Sequence, residues 1–274
     1  MQMTIGLYLM TEKGLAVLEA ALEANVEIAH VTTASATGMN DNSHETISLV
    51  AKQHGIPTFL RSHPPSYTSD LSVAAGWRWM LDVPELVVLH DSLLPRYRGY
   101  SPLITALANG DPEVGVTAFV ANDVPDTGPI VAQRRLPLAY PVRMRQVLKR
   151  LVPLYKDLAS EVLREDRPLR YFQQDHAKAT YSLWRDDHDY RIDWTADDRT
   201  IVRLVDAASE PFPGAWTTAD GNRVVIDYAE TVTDVRFEQR HPGKVAWKDE
   251  GTVVVCGTGL VRIPNAVPTK TRFV

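Results

Sequence analysis

Between residues 3 and 121 the chain repeats one pattern, a short and almost uninterrupted apolar run followed by an amphipathic stretch and another apolar run. The runs fall at 3–9, 26–32, 58–60, 71–75, 86–90 and 114–121, and most are rich in Val, Leu, Ile or Ala. Such brevity and composition argue for strands buried on both faces, the signature of parallel pairing. Thr11 caps a helix carrying Leu15, Leu18 and Leu22 at helical spacing, and Asn42 with Glu45 forms a capping box for a helix through Lys52. The alternation predicts an α/β fold with a mostly parallel, Rossmann-like open sheet. Ligands of such sheets bind outside the carboxyl ends of the strands, and His90 stands at one of those ends.

The pattern changes in the second half. Residues 141–164 read as one long helix with Met144, Val147, Leu148, Leu151, Leu154 and Leu158 on one face, kinked at Pro153. Asp166-Arg-Pro168 closes a first domain, residues 1–170, and 169–195 reads as a connector with some strand. A short helix over 198–208 precedes short Gly-punctuated strands at 223–229, 243–248, 252–256 and 259–263. Residues 171–274 are therefore expected to form a small α+β domain with barrel-like strands.

Composition narrows the function classes. Apolar residues at 45% and charged residues at 23% exclude general disorder. No apolar run reaches the roughly 18 residues a bilayer crossing needs. Met1-Gln-Met-Thr leads into a strand and does not read as a signal peptide, and Cys256 is the single cysteine, so neither an internal disulfide nor a multi-cysteine zinc site is expected. A cytoplasmic protein without a membrane partner follows as the expectation. The net charge is −5, and residues 181–274 hold 12 Lys+Arg against 15 Asp+Glu, a balance of −3, so nucleic acid is not an expected partner. Asp186-Asp-His-Asp189 reads as a solvated acidic turn, and no metal site is expected.

The string His90-Asp-Ser-Leu-Leu-Pro-Arg-Tyr-Arg-Gly99, followed 36 positions after the histidine (126 − 90) by Asp126 in Asp123-Val-Pro-Asp-Thr-Gly-Pro, joins a strand-end histidine to a later loop carboxylate. With Ala75-Gly-Trp-Arg-Trp-Met-Leu81, this set resembles the folate-dependent formyltransferase family. Ala179-Thr-Tyr-Ser-Leu-Trp184, Ile192-Asp-Trp194 and Pro211-Phe-Pro-Gly-Ala-Trp216 extend the resemblance to methionyl-tRNA formyltransferases and, most closely, amino-sugar N-formyltransferases. The resemblance implies His90 and Asp126 as catalytic residues and N10-formyl-tetrahydrofolate as cofactor. It implies Arg78, Trp79, Leu81, Val88, Asn122, Asp123 and Val124 around the cofactor, and Ser92, Tyr97, Arg98 and Gly99 around the acceptor.

Formyl transfer to an amine develops an oxyanion, and the amine must shed a proton, so a base working near neutral pH is useful. His90 suits that role, and Asp126 can orient and charge-stabilise the imidazole. The family's asparagine, two residues before the histidine, is here Val88, which shares a strand face with His90. Three readings follow: another donor substitutes (Ser92, Asn122, or the indole N–H of Trp77 or Trp79), the chain runs a different one-carbon reaction, or it binds folate or substrate without turnover. The resemblance implies N-formylation of a small molecule, with a nucleotide-linked amino sugar as first choice of acceptor. Alternatives are a methionyl-tRNA formyltransferase or a catalytically impaired folate- or nucleotide-binding member. Family members often form homodimers.

Overall fold

The structure is a computed structural model that describes residues 3–164, 169–264 and 272–274. Asp166-Arg-Pro168, expected to close the first domain, lies outside the described residues. In chain order the first elements are β1 (Thr4–Leu9), α1 (Thr11–Glu23), β2 (Glu27–Thr33), α2 (Ser43–Gln53), β3 (Thr58–Leu60), β4 (Leu71–Ala75) and β5 (Leu86–His90). Then come the two-residue β6 (Arg98–Gly99), α3 (Pro102–Asn109), β7 (Glu113–Val120), β8 (Ile130–Pro137) and α4 (Met144–Val162). The remainder holds β9 (Tyr181–Ser182), α5 (Asp198–Ala207), β10 (Ala215–Ala219), β11 (Asn222–Ile226), β12 (Glu230–Val232), β13 (Val245–Lys248), β14 (Thr252–Val255) and β15 (Leu260–Ile263). The described residues group into two compact units, one of Met1–Pro102, Glu113–Pro137 and Leu148–Leu183, the other of Leu103–Pro112, Leu138–Val147 and Trp184–Val274.

The first unit is built on a seven-stranded sheet of order β3-β2-β1-β4-β5-β7-β8. The pairs β3–β2, β2–β1, β1–β4 and β4–β5 are parallel, as the apolar runs predict. The pairs β5–β7 and β7–β8 are antiparallel, which corrects the reading of 114–121 as another parallel strand. Strand β8 had no apolar run to announce it, because Gln133, Arg134 and Arg135 interrupt it at the sheet edge. An antiparallel edge on a parallel sheet is common in large mixed sheets.

Two helix-start expectations also fail. Asn42 makes no side-chain cap; Asp41, one residue earlier, accepts from the Ser43 amide at 2.8 Å instead. Thr11 is the first residue of α1, not its cap, and the helix buries Gly14, Val17, Leu18 and Ala21, leaving Leu15 and Leu22 half-buried. Gly14 explains the rotation: a Cβ there would lie 3.0 Å from Leu9 Cβ, so the small-residue stripe is what lets the helix approach β1. In α4, Tyr155 is buried and Leu154 only half so, with Pro153 on the exposed side.

The second unit contains the hairpin β10–β11 and a four-stranded antiparallel sheet of order β12-β15-β14-β13. Val253, Val255 and Leu260 form an apolar cluster there, and the Trp194 indole donates to the Thr217 hydroxyl at 2.9 Å. Cys256 is buried, which pushes its thiol up to about 12 and makes it an inert packing residue. Among the described residues no helix is long and apolar enough to cross a membrane, and no cluster could hold a metal ion. Asp187 of the acidic turn pairs with Arg223.

Candidate functional site

His90 is the last residue of β5, paired to Thr117 of β7, and its ring stands edge-on to Phe119 at 6.5 Å between centroids. Its Nε2 lies 2.9 Å from the Tyr97 carbonyl, an acceptor, so Nε2 carries the proton. In the neutral ring the lone pair is then on Nδ1, which faces Asp126 Oδ2 at 3.9 Å. Both side chains are largely covered, at 10% and 16% exposure, which limits screening between them. A proton taken on Nδ1 therefore arrives opposite a carboxylate.

The loop between β5 and α3 is held to Asp126 by main-chain contacts. Asp126 Oδ2 accepts the Gly99 amide at 2.6 Å, and Asp126 itself adopts φ +57, a conformation that costs a non-glycine residue about a kcal/mol or more. Gly99 is at φ +95, and a Cβ there would lie 2.6 Å from the Ser182 carbonyl, so any side chain would push β6 off β9. Gln174, 5% exposed, joins the two loops. Its amide donates to the carbonyls of Asp126 (2.9 Å) and Gly128 (2.7 Å) and its oxygen accepts from Arg98 Nη2 at 2.7 Å.

Val88 lies on the His90 face, opposite Ala74 and Phe119 on the neighbouring strands. It packs with Trp77, Leu81, Val83 and Ala121 on a cluster of Tyr8, Ala74 and Leu86. Trp79, Trp77, Tyr8 and His30 continue as successive edge-to-face contacts of 5.4, 5.5 and 5.4 Å. Burial lowers the His30 pKa, favouring its neutral ring. The Trp77 indole N–H is buried and has no hydrogen-bond partner among the described residues. The two His30 ring nitrogens are likewise buried without partners among the described residues, so this aromatic wall holds more than one unpaired polar group.

Asp91, next in sequence to His90, is held by Lys13 of α1 and, at 2.5 Å, by the Tyr155 hydroxyl of α4. Burial alone would raise the Asp91 pKa, but Lys13 and Tyr155 hold it below the usual carboxylate value. Burial and the Asp91 charge push the Tyr155 hydroxyl well above its ordinary pKa. This triad ties the end of β5 to two helices.

Several expected ligand-contacting residues are engaged within the protein. Ser92 is buried and donates to the Arg96 carbonyl at 2.8 Å. Arg98 is 2% exposed and bonded to Gln174 and His176, so its guanidinium shapes the loop. Tyr97 is buried at φ +56 and contributes its carbonyl to His90. Arg78 donates to the Thr37 carbonyl at 2.8 Å and contacts Met39 Sδ, bridging to the loop after β2. The Asn122 side-chain oxygen accepts from Val124 N–H and the Thr127 hydroxyl. Asp123 and Val124 are exposed, Leu81 is half-buried, and Trp79 stacks under Arg61 at 4.1 Å. Sequence reasoning missed Gln174, Lys13, Tyr155 and Tyr8; a lysine within the apolar spacing of α1 was the one available signal.

Comparisons with known proteins place the chain among formyltransferases. A family model described as formyl transferase matches residues 66–163, and one described as formyl transferase, C-terminal domain, matches 186–272. The methionyl-tRNA formyltransferase of Roseiflexus castenholzii is 35% identical over 212 residues, covering 74% of this chain and 67% of its own. That of Aromatoleum aromaticum is 32% identical over 271 residues, covering 90% and 84%. Among solved structures, WlaRD, a sugar 3N-formyl transferase crystallised with dTDP and 5-N-formyl-THF, superposes with TM-score 0.70 at 14% identity, over 100% of this chain and 98% of its own. HypX of Aquifex aeolicus in complex with tetrahydrofolic acid superposes with TM-score 0.63 at 19% identity over 96% of this chain, which spans only 43% of the HypX chain. N10-formyl-tetrahydrofolate is the family's one-carbon donor. The chain belongs to the formyltransferase family.

Proposed function

We propose that the protein transfers a formyl group from N10-formyl-tetrahydrofolate to an amino group, with residues 1–170 carrying the chemistry. The observation that carries this reading is the His90–Asp126 pair, 3.9 Å apart at the end of β5. When bound, the folate supplies the formyl group. His90 Nδ1 takes the proton the attacking amine sheds and would return it to the folate nitrogen that departs as its bond to the formyl carbon breaks, and Asp126 stabilises the imidazolium in between while keeping Gly99 in place. Tyr97 fixes the tautomer through its carbonyl.

The acceptor we favour is a small amine, a nucleotide-linked amino sugar, supported by the acidic balance of residues 181–274 and by the likeness to WlaRD. One observation favours a second reading: the curated relatives at 32–35% identity are methionyl-tRNA formyltransferases. Mass spectrometry after incubation with N10-formyl-tetrahydrofolate and either nucleotide-linked amino sugars or charged initiator tRNA separates them. Formylated sugar with no tRNA retention on filters at low salt supports the first; formylated methionyl-tRNA replaces it with the second.

Trp77 is the donor we assign in place of the absent asparagine. Ser92 is engaged, the Trp79 ring stacks on Arg61 and the Asn122 oxygen is bonded within its own loop, whereas the Trp77 N–H has no partner among the described residues and its ring packs beside Val88; because that N–H is covered, the assignment requires the Trp77 ring to shift when folate binds. Trp77→Phe keeps the apolar contact and removes the N–H, so kcat should fall on the order of 10²-fold with donor KM little changed. Undiminished kcat in that variant places the donor elsewhere.

A further inference from the structure

The second unit contains a cavity of about 650 Å³, the size of a small-molecule site, and neither His90 nor Asp126 lines it. Helix α5 turns Arg199, Val202, Arg203 and Asp206 toward it, residues at i, i+3, i+4 and i+7, which form one helix face. On an ordinary packed helix a face that lines an interior space is apolar; here it carries two cations and a carboxylate. Asp206 is 4% exposed, yet its carboxylate takes no hydrogen bond or ion pair among the described residues. Burial pushes it up to about 6, with the charge of Arg143, in the same lining, opposing that shift. Arg199 is exposed and its guanidinium also has no partner among the described residues, whereas Arg143 is bonded to Asp227 and Arg203 to the Ala108 carbonyl. Tyr228, 42% exposed, offers an aromatic face in the same lining.

A largely buried carboxylate that takes no donor from the protein and opens only onto a cavity is costly unless something in the cavity supplies donors. The lining therefore asks for a ligand with an N–H-donating edge, a flat ring and an anionic group. We propose that this cavity binds a nucleoside phosphate, with the donor edge of the base on Asp206, the ring against Tyr228, and the phosphate on Arg199 beside Arg143 and Arg203. Guanine suits a carboxylate best, because two adjacent N–H groups meet its two oxygens, whereas the single N–H of uracil is flanked by carbonyls.

The test is calorimetric titration of the full chain with GMP, UMP and inorganic phosphate, in the absence of folate and of any acceptor amine. GMP is expected to bind at least about tenfold more tightly than UMP and than phosphate alone. Arg199→Ala, a change at an exposed side chain, should weaken GMP about tenfold or more. Asp206→Asn, nearly isosteric, should erase the preference for GMP over UMP while retaining phosphate-dependent binding. No heat with any nucleotide overturns the proposal, as does GMP binding no tighter than phosphate or unaltered by both substitutions. Because formyl transfer is not measured, failure here leaves the reading of the His90 site untouched.

Discussion

Replacement of His90 by Ala is expected to lower formyl transfer by about 10²–10⁴-fold, the range for loss of a positioned general base. Hydrogen-bond direction at the ring decides which nitrogen reacts. The Tyr97 carbonyl commits Nε2–H at 2.9 Å, so Nδ1 is the nitrogen free to accept, and it faces Asp126. No other described imidazole takes its place on this face: His30 is 1% exposed and enclosed by Tyr8, Phe59 and Tyr67. The loss should fall on kcat, with donor KM nearly constant, because the aromatic wall around Trp77 is untouched. Stability should drop by only about 1 kcal/mol, for one hydrogen bond to a carbonyl. Steady-state kinetics with a parallel melting curve checks both. A variant within tenfold of the natural rate would mean that another group takes the proton.

The second large effect is on stability. Lys13→Met removes the cation that neutralises Asp91, leaving a covered carboxylate with only Tyr155 as donor. Breaking one side of a buried pair costs about 3–5 kcal/mol, more than the pair itself contributes, because the remaining charge is stranded. Adding Asp91→Leu to Lys13→Met should recover much of that loss, as apolar replacements of buried pairs do. The pH dependence has a definite sign. Asp91 has a folded-state pKa below its unfolded value of about 3.9, so its stabilising contribution is complete above that value and fades as pH falls through the lower folded value. The deficit of Lys13→Met, measured as a denaturant midpoint, should thus be largest at neutral pH and shrink in acid. An equal deficit at pH 3 and pH 7 would assign the role of Lys13 to packing.

Much of this architecture could be read from residues alone, and the reasons differ by element. Strands β1, β4 and β5 are continuous apolar runs because both of their faces are covered, and nothing else in a chain of ordinary composition looks like that. Strand β8 escaped because an edge strand tolerates Gln133, Arg134 and Arg135, of which Arg134 pairs with Asp157 and Glu161. The register of α1 escaped because its packing face is made of Gly14 and alanines, which carry no hydropathy signal comparable to Leu15 or Leu22. At the site, His90 and Asp126 were legible through their motif. Lys13 and Tyr155 were not, since their partner Asp91 lies 78 and 64 positions away and only folding reveals the triad. The surroundings of Arg98 were hidden for a related reason: the family resemblance implies an acceptor contact, and only folding shows Gln174, 76 positions on, holding its guanidinium.

Val88 is where sequence and chemistry part, and it is the residue on which the account turns. Its methyl groups complete an apolar wall with Tyr8, Trp77 and Leu81, so the strand face is built for packing where a side-chain amide is absent. If Trp77 supplies the missing N–H, the natural chain needs no asparagine. The most direct measurement compares the natural protein with Val88→Asn in a mass-spectrometric assay containing N10-formyl-tetrahydrofolate and the acceptor panel. The natural protein is expected to yield a formylated amine at a rate the variant does not exceed. Product from Val88→Asn alone would contradict that expectation and leave the natural chain as a binding protein.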